Sequence, residues 1–303
     1  MLGTRLVFGL SMVAGLVLAL NLDEQLAPYY PCWFVLSTIA LLVAARELSN
    51  LLAETPAAPS ANTVVGGVLA LVIANWAPHM VYGKPRSLDL SALDYDPFAP
   101  LSALAWPFLT FTAIILTGFV VQGLQFDRPG RTMAKIAGTL LAVAYLGVLA
   151  AFTIQTRWFA GPRQGLLALV FLFSTAKGAD TGAYAIGRLI GKHKLWPALS
   201  PSKTIEGALG GLVFGILAAL IVVAVSRFWM RAPTLSVTAA VIYGAIVSTA
   251  AQLGDLMESM IKRDCLRKDA SSSVPGFGGV LDVIDSILFA GPIAFLLWIA
   301  IGP

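Results

Sequence analysis

The 303-residue chain contains 58% hydrophobic and only 12% charged residues, and its net charge is +4. Soluble domains carry about 25% charged residues, so this composition excludes an ordinary water-soluble domain and makes lipid the solvent for most of the surface. The two cysteines, Cys32 and Cys265, provide neither a disulfide framework nor a paired-cysteine metal site.

Apolar segments long enough to cross a bilayer, which takes roughly 20 residues each, fill most of the chain. The segment after Arg5 resembles a signal peptide, but Leu20-Asn21-Leu22 matches a cleavage site poorly, so we predict a transmembrane helix there. We expect an all-α, polytopic transmembrane protein with about nine spans and a single membrane domain over 1–303. The nine segments lie near residues 5–21, 32–50, 62–82, 102–124, 133–153, 163–183, 207–227, 236–258 and 280–301.

The distribution of basic residues predicts the orientation of these nine spans. Loops on the N-terminal side would hold 14 of the 20 Lys and Arg residues. The positive-inside rule then places the N-terminus in the cytoplasm, together with the polar loops 184–206 and 259–279. The six basic residues on the opposite side would be Lys84, Arg86, Arg157, Arg163, Arg227 and Arg231.

A first polar cluster runs from Lys177 to Gly211. Small residues between 178 and 191 allow close helix packing and close approach to a ligand. The run Ser200-Pro201-Ser202-Lys203-Thr204 offers hydroxyls, a cation and backbone N–H groups at a helix start, which suit phosphate oxygens. Asp180 at a membrane helix end is costly unless it is used or paired. Alternatively, the basic residues of this loop only anchor it to anionic headgroups.

A second cluster lies on the eighth predicted span. Gln252, Asp255, Ser259 and Lys262 follow helical i, i+3, i+4 spacing and therefore share one face. This face is either part of a functional site or a polar seam that neighbouring helices satisfy.

A third cluster follows the turn Pro275–Gly279. Asp282 and Asp285 stand three residues apart on one face of the next helix. Two carboxylates in a low dielectric repel each other unless one is protonated or each has a cation. A divalent cation would remove this repulsion, and hard oxygen ligands favour Mg²⁺. The alternative is stabilisation by the helix dipole, which explains one acidic residue better than two.

The residue inventory favours phosphoryl or nucleotidyl transfer. The chain has two histidines, His79 and His193, and no Gly-x-Ser-x-Gly motif, so histidine-based acyl hydrolysis and a zinc site are disfavoured. Transfer of a phosphoryl or nucleotidyl group needs positioning and charge neutralisation instead.

The spacing of the polar residues resembles the signature of phosphatidate cytidylyltransferases, also called CDP-diacylglycerol synthases. The similarity is strong over about 170–290. Two departures from that pattern are Phe277 in place of His and Val283 in place of Arg, and Val274 stands where a longer side chain is usual. The residues that carry the resemblance are Ser259, Lys262-Arg263, Lys268-Asp269, Pro275, Gly278-Gly279, Asp282 and Asp285, preceded by Asp180, Tyr184, Gly187-Arg188, Gly191-Lys192, Ser200, Lys203-Thr204 and Glu206-Gly207.

The resemblance implies Mg²⁺-dependent transfer of CMP from CTP to phosphatidic acid, giving CDP-diacylglycerol and pyrophosphate for phospholipid synthesis. It implies metal ligation by Asp255, Asp282 and Asp285, with room for a second cation such as K⁺. These three residues, Lys262 and Arg263 would be catalytic. Substrate would be bound by Asp180, Tyr184, Arg188, Ser200, Lys203, Thr204, Glu206, Ser259, Lys268, Asp269, Gly278 and Gly279.

The resemblance also implies a homodimer in the bacterial inner membrane with its active site facing the cytoplasm, and no nucleic acid partner. Residues 1–160 would form mostly scaffold spans, and 170–303 the catalytic part. Three other interpretations remain open. The first is a CTP-dependent transferase that acts on another lipid phosphate or a lipid alcohol. The second is a transporter, since intramembrane carboxylates also mark ion pathways. The third is a homologue that binds lipid phosphate without turnover.

Overall fold

The computed structural model describes residues 15–82, 100–126, 129–230, 233–274 and 278–303. The chain divides into two compact units. Unit 1 comprises Met1–Trp158 and Asp269–Val283, and unit 2 comprises Phe159–Lys268 and Ile284–Pro303.

Unit 1 is built from helices. Helix α1 is described over 15–24. A π-helical turn, Ala144–Val148, joins α6 to α7, and a 3₁₀ turn, Thr156–Trp158, ends the unit's first segment. The other helices are α2 (Pro31–Leu52), α3 (Ala61–Tyr82), α4 (Pro100–Ala103), α5 (Ala105–Leu124), α6 (Thr132–Val143) and α7 (Leu149–Gln155).

The interior of unit 1 contains polar side chains that find partners within the protein. The Gln155 amide donates to the backbone oxygen of Asn75 at 2.8 Å, and its oxygen lies 3.1 Å from His79 Nε2. The Arg157 guanidinium is fully buried, 3.9 Å from the centroid of the Tyr30 ring. Lipid offers no hydrogen bonds, so polar groups at this depth must be satisfied internally.

Unit 2 contains the longest helices and a short hairpin. Strands β1 (Lys194–Trp196) and β2 (Ser200–Thr204) pair antiparallel, with Lys194 opposite Thr204. A π-helical turn, Ser226–Met230, extends the helix after the hairpin. The helices are α8 (Pro162–Ile190), α9 (Ile205–Val225), α10 (Val237–Asp264) and the part of α11 (Val280–Ile301) that belongs to this unit.

Glycines bring α8 and α9 into close contact. A Cβ atom added at Gly182 would lie 2.6 Å from the backbone oxygen of Gly210, and one added at Gly178 would lie 2.8 Å from Ala218 Cβ. At Gly211 it would lie 2.9 Å from the Ala179 oxygen. Small residues of this kind permit the backbone approach on which membrane helices rely for packing.

The predicted all-α, polytopic membrane fold is confirmed. Among the described residues, eight helices are long and apolar enough to span a bilayer, and they match the second to ninth predicted spans. The first predicted span, 5–21, lies mostly outside the described residues. The total of nine spans, the orientation and the assignment of scaffold and catalytic parts stay predictions. The hairpin at 194–204 was not predicted, because its strands are short and polar.

Candidate active site

The hairpin of unit 2 is fixed between α8 and α9 by Thr204. Its hydroxyl accepts a hydrogen bond from the backbone N–H of Gly207 at 3.1 Å, which caps the start of α9. A Cβ atom at Gly191 would lie 2.6 Å from that hydroxyl, and one at Gly187 would lie 3.1 Å from it. The small residues of the first polar cluster therefore let the end of α8 and the hairpin meet at Thr204.

A cavity of about 420 Å³ lies among α8, β2, α9 and α10. Basic and hydroxyl side chains line it beside two carboxylates, and the phenol of Tyr184 accepts a hydrogen bond from Arg188 at 2.8 Å. Such a lining suits an anionic ligand that is larger than inorganic phosphate. The polar lining residues are Asp180, Tyr184, Arg188, Ser202, Lys203, Thr204, Gln252 and Asp255.

Three carboxylates converge next to this cavity. One oxygen each from Asp255, Glu258 and Asp285 lies within 4.8 Å of the other two. Glu258 is fully buried and Asp285 is 5% exposed. Three ionised carboxylates at this spacing repel one another strongly in a low dielectric, and either nearby cations or protonation of one carboxyl group relieves the repulsion.

Lysines supply part of that positive charge. Lys203 Nζ lies 2.9 Å from Asp255 Oδ2, and Lys262 forms an ion pair with Glu258. These contacts join β2 to α10 and strengthen the last turns of α10.

A third lysine connects α8 to α11. Lys177 Nζ lies 3.0 Å from Asp180 Oδ2 and 3.0 Å from Ser286 Oγ. The Ser286 hydroxyl donates to the same Asp180 oxygen at 3.2 Å, and its N–H donates to Asp285 Oδ1 at 2.5 Å. The network therefore joins the carboxylates of Asp180 and Asp285 through one serine.

The donor set fits a divalent cation. With all groups ionised, the four carboxylates and three lysines described above leave one net negative charge. Oxygen ligands at about 2.1 Å from one ion lie up to about 4 Å apart, and the oxygens of Asp255, Glu258 and Asp285 lie within 4.8 Å of one another. All three are hard oxygen donors, which Mg²⁺ prefers over nitrogen or sulfur.

A family model described as the Cytidylyltransferase family matches residues 3–300 of this chain. The chain belongs to this family. A phosphatidate cytidylyltransferase of Staphylococcus saprophyticus is 39% identical over 194 residues, which are 64% of this chain and 71% of the relative. A phosphatidate cytidylyltransferase of Staphylococcus aureus is 31% identical over 267 residues, 88% of this chain and 89% of the relative.

The predicted family is thereby confirmed, and this cytidylyltransferase is a nucleotidyltransferase with a multi-pass membrane fold. Cytidylyl transfer is chemistry among phosphates, which agrees with a cavity lined by cations and hydroxyls beside a carboxylate cluster. The roles of individual site residues are a separate matter, because family membership assigns none of them.

Many of the predicted site residues lie together in unit 2 of the cytidylyltransferase. Ser200 contacts Ser202 in β2, and Glu206 accepts hydrogen bonds from the backbone N–H groups of Lys192 and His193. Ser259 is buried in α10, while Lys268 is exposed. Arg263 donates to the backbone oxygens of Leu199 and Arg267. The six predicted residues that line the cavity are Asp180, Tyr184, Arg188, Lys203, Thr204 and Asp255.

Asp282, predicted as a metal ligand, belongs to unit 1 and closes the start of α11. Its Oδ2 accepts the backbone N–H of Gly279 at 2.6 Å and that of Ala270 at 3.1 Å. An acidic residue in the third helical position that reaches back in this way is half of a capping box. Metal ligation by Asp282 stays a prediction, and the carboxylates that converge are Asp255, Glu258 and Asp285.

The two glycines of the signature have a backbone role in unit 1. Gly278 has φ of +104°, a conformation that favours glycine, and a Cβ there would lie 2.7 Å from Asp282 Oδ2. Their predicted substrate binding stays a prediction, as do the roles of Lys268 and the exposed Asp269. Phe277, one of the two departures from the family pattern, lies outside the described residues.

Three residues of the carboxylate network, Glu258, Lys177 and Ser286, were missing from the sequence prediction. Glu258 stands three residues after Asp255 and four before Lys262, so the helical spacing used for α10 also selects it. Lys177 stands three residues before Asp180, which is again ion-pair spacing on a helix. Ser286 carried no such signal, because its role depends on where α11 meets α8.

The Lys177→Met variant should lower the rate of cytidylyl transfer about tenfold. The methionine keeps the length of the side chain but leaves Asp180 and Ser286 without the ammonium group, and half-exposed ion pairs have modest effects because solvent screens them. Incorporation of labelled CMP into lipid by purified protein measures the rate. Lys135→Met, on α6 of unit 1, is the control, and a rate within twofold of wild type for Lys177→Met would contradict the role.

Proposed function

We propose that the chain transfers CMP from CTP to phosphatidic acid, giving CDP-diacylglycerol and pyrophosphate. The observation that carries this proposal is the anion-binding cavity of unit 2 with the carboxylate cluster at its edge, in a chain of the cytidylyltransferase family. The names of the Staphylococcus relatives support phosphatidate as the acceptor.

The reaction needs little from a general base. The lipid phosphate would attack the α-phosphorus of CTP, and this phosphate is already anionic at neutral pH. The bond between the α-phosphorus and the bridging oxygen breaks, so pyrophosphate leaves with the electron pair. Positioning and charge neutralisation are then the main tasks of the protein.

The cations of the cavity suit the phosphate groups. The Arg188 guanidinium presents a planar set of donors that matches phosphate oxygens. Lys203, in the extended strand β2, is a compact point charge that Asp255 holds at 2.9 Å. The hydroxyls of Ser202 and Thr204 flank it and offer neutral hydrogen-bond donors.

Asp255, Glu258 and Asp285 would hold Mg²⁺. Ligation by Asp282, which the family pattern implies, stays a prediction. The ion would neutralise charge on the triphosphate and on the leaving pyrophosphate. Lys203 and Lys262 would keep the second oxygens of Asp255 and Glu258 occupied and so orient these carboxylates. A second cation such as K⁺ and a homodimer stay predictions.

The Asp285→Asn variant should reduce transfer at least about 100-fold, because a neutral amide of the same shape is a poor ligand for a hard cation. Labelled-CMP incorporation over a range of Mg²⁺ concentrations measures both the rate and the Mg²⁺ requirement. Asp264→Asn, an exposed carboxylate at the end of α10, is the matched control. Near-normal activity of Asp285→Asn, or full activity of wild type in excess EDTA, would refute the metal assignment.

The lipid acceptor can be identified by a panel in the same assay. We expect phosphatidic acid to yield CDP-diacylglycerol and an equal amount of pyrophosphate. Diacylglycerol lacks the phosphate that the cations would contact, so its rate should be at least about tenfold lower. An isoprenoid phosphate keeps this group and tests recognition of the diacylglycerol part, and we expect a lower rate with it than with phosphatidic acid. If either alternative acceptor gives a higher rate, that acceptor replaces phosphatidic acid in the proposal. If well-folded protein turns over none of the acceptors, the chain would bind lipid phosphate without catalysis.

The cavity is proposed to open to the cytoplasm of a bacterial inner membrane. Helix α8 has 29 residues, which at about 1.5 Å per residue exceeds the hydrocarbon thickness, so its ends should reach opposite sides. Arg188 lies in its last turn and Lys192 follows its C-terminal end, as the positive-inside rule requires of a cytoplasmic side.

A membrane-impermeant maleimide should label Lys192→Cys in inside-out vesicles and Arg163→Cys in right-side-out vesicles. Both side chains are exposed and stand at opposite ends of α8. Cys32→Ser/Cys265→Ser is the background, because these two cysteines would otherwise react. The reverse labelling pattern would invert the proposed orientation.

A further inference from the structure

A glutamate in the second helix holds the segment that leads into α11. Glu47 lies in α2, is only 6% exposed, and belongs to unit 1 together with residues 269–283. A buried carboxylate in an apolar helix is costly unless strong donors surround it. No local sequence signal connects this residue to the motif more than 220 residues away.

Four donors meet this one carboxylate. Ser271 donates its hydroxyl to Oε1 at 2.6 Å, and the Ser273 hydroxyl donates to the same oxygen. The backbone N–H of Val280 donates to Oε1 at 3.1 Å, and that of Leu281 donates to Oε2 at 2.8 Å. Hydrogen bonds to a charged acceptor are stronger than those between neutral groups. These four bonds therefore attach the segment 271–281 strongly to α2.

Two of these donors are the first amides of α11, which have no partner within the helix. Glu47 therefore caps α11 from another helix, with its negative charge at the positive end of the helix dipole. Asp282 closes the same end by accepting the N–H of Gly279. A Cβ at Gly279 would lie 2.6 Å from Glu47 Oε2, so the glycine is needed for this contact.

We propose that Glu47 is a positioning residue for cytidylyl transfer. It sets where α11 begins, and α11 carries Asp282 in its first turn and Asp285 one turn later. The carboxylate also occupies the N-terminal amides of α11, so the substrate phosphates bind elsewhere. This inference rests on the proposed function for its activity readout, but the capping contacts stand without it.

The test compares full-length Glu47→Gln, Glu47→Asp and wild type, purified in the same detergent. The glutamine amide turns one acceptor into a donor that faces Ser271 and Val280, so kcat should fall about 10- to 100-fold, as expected for a lost charge-assisted bond. The KM for CTP should stay within about threefold, because four donors of the protein itself already engage the Glu47 carboxylate. Glu47→Asp keeps the charge and should recover part of kcat.

Hydrogen exchange supplies a readout that does not depend on turnover. Amides of a peptide spanning 278–290 should exchange at least about tenfold faster in Glu47→Gln, while peptides from α10 keep their protection. Glu54→Gln, an exposed glutamate after α2, should match wild type in kcat and exchange. Wild-type turnover in the same assay reports separately on the proposed function.

Three outcomes would overturn the proposal. One is unchanged kcat and exchange in Glu47→Gln. Another is a large rise in the KM for CTP or Mg²⁺ with unchanged kcat, which would indicate direct binding. The third is a loss of activity that only follows the fraction of unfolded protein.

A second variant tests the role if Glu47→Gln does not fold. Ser271→Ala/Ser273→Ala keeps the carboxylate and should lower kcat about 3- to 10-fold, with faster exchange at 278–290. Unchanged kcat and exchange in this variant would equally refute the role.

Discussion

Carboxylates inside apolar helices must be paired with cations or with strong hydrogen-bond donors, and much of the polar organisation of this protein follows from that requirement. In water, two charges 4 Å apart interact weakly, but in the protein interior the same pair dominates local energetics. In unit 2, lysines from α8, β2 and α10 accompany Asp180, Asp255 and Glu258. In unit 1, hydroxyl and amide donors surround Glu47. The two solutions differ, because the lysines bring positive charge to the carboxylates of unit 2, whereas the four donors of Glu47 are neutral hydroxyl and amide groups.

The pairing also explains why a strand interrupts the helices. Strand β2 advances about 3.3 Å per residue, so a short extended segment carries Lys203 from the end of α8 toward Asp255. The side chains of Ser202, Lys203 and Thr204 all line the cavity. Thr204 is buried as well, and its hydroxyl caps α9.

The sequence predicted the features that are local or periodic. Apolar length predicted the second to ninth spans, and helical spacing predicted that Asp255 shares a face of α10 with Gln252, which also lines the cavity. Glu258 stands three residues after Asp255, and Lys177 stands three residues before Asp180. Helical spacing counted from these two aspartates would therefore also have selected both residues. Contacts between distant segments were beyond such reasoning, which is why Glu47 was missed. Asp282 shows another limit, because its capping geometry depends on the backbone path through Gly278, and helical periodicity does not specify that path.

The glycine contacts between α8 and α9 have a consequence for motion. Backbone atoms lie so close at Gly182 and Gly210 that neither helix can slide or rotate against the other without a steric clash. Packed surfaces of this kind change in discrete steps and resist gradual deformation. Thr204 ties the hairpin to both helices. Any rearrangement that accompanies a catalytic cycle should therefore carry α8, the hairpin and α9 as one rigid body, with the moving parts found among the other elements.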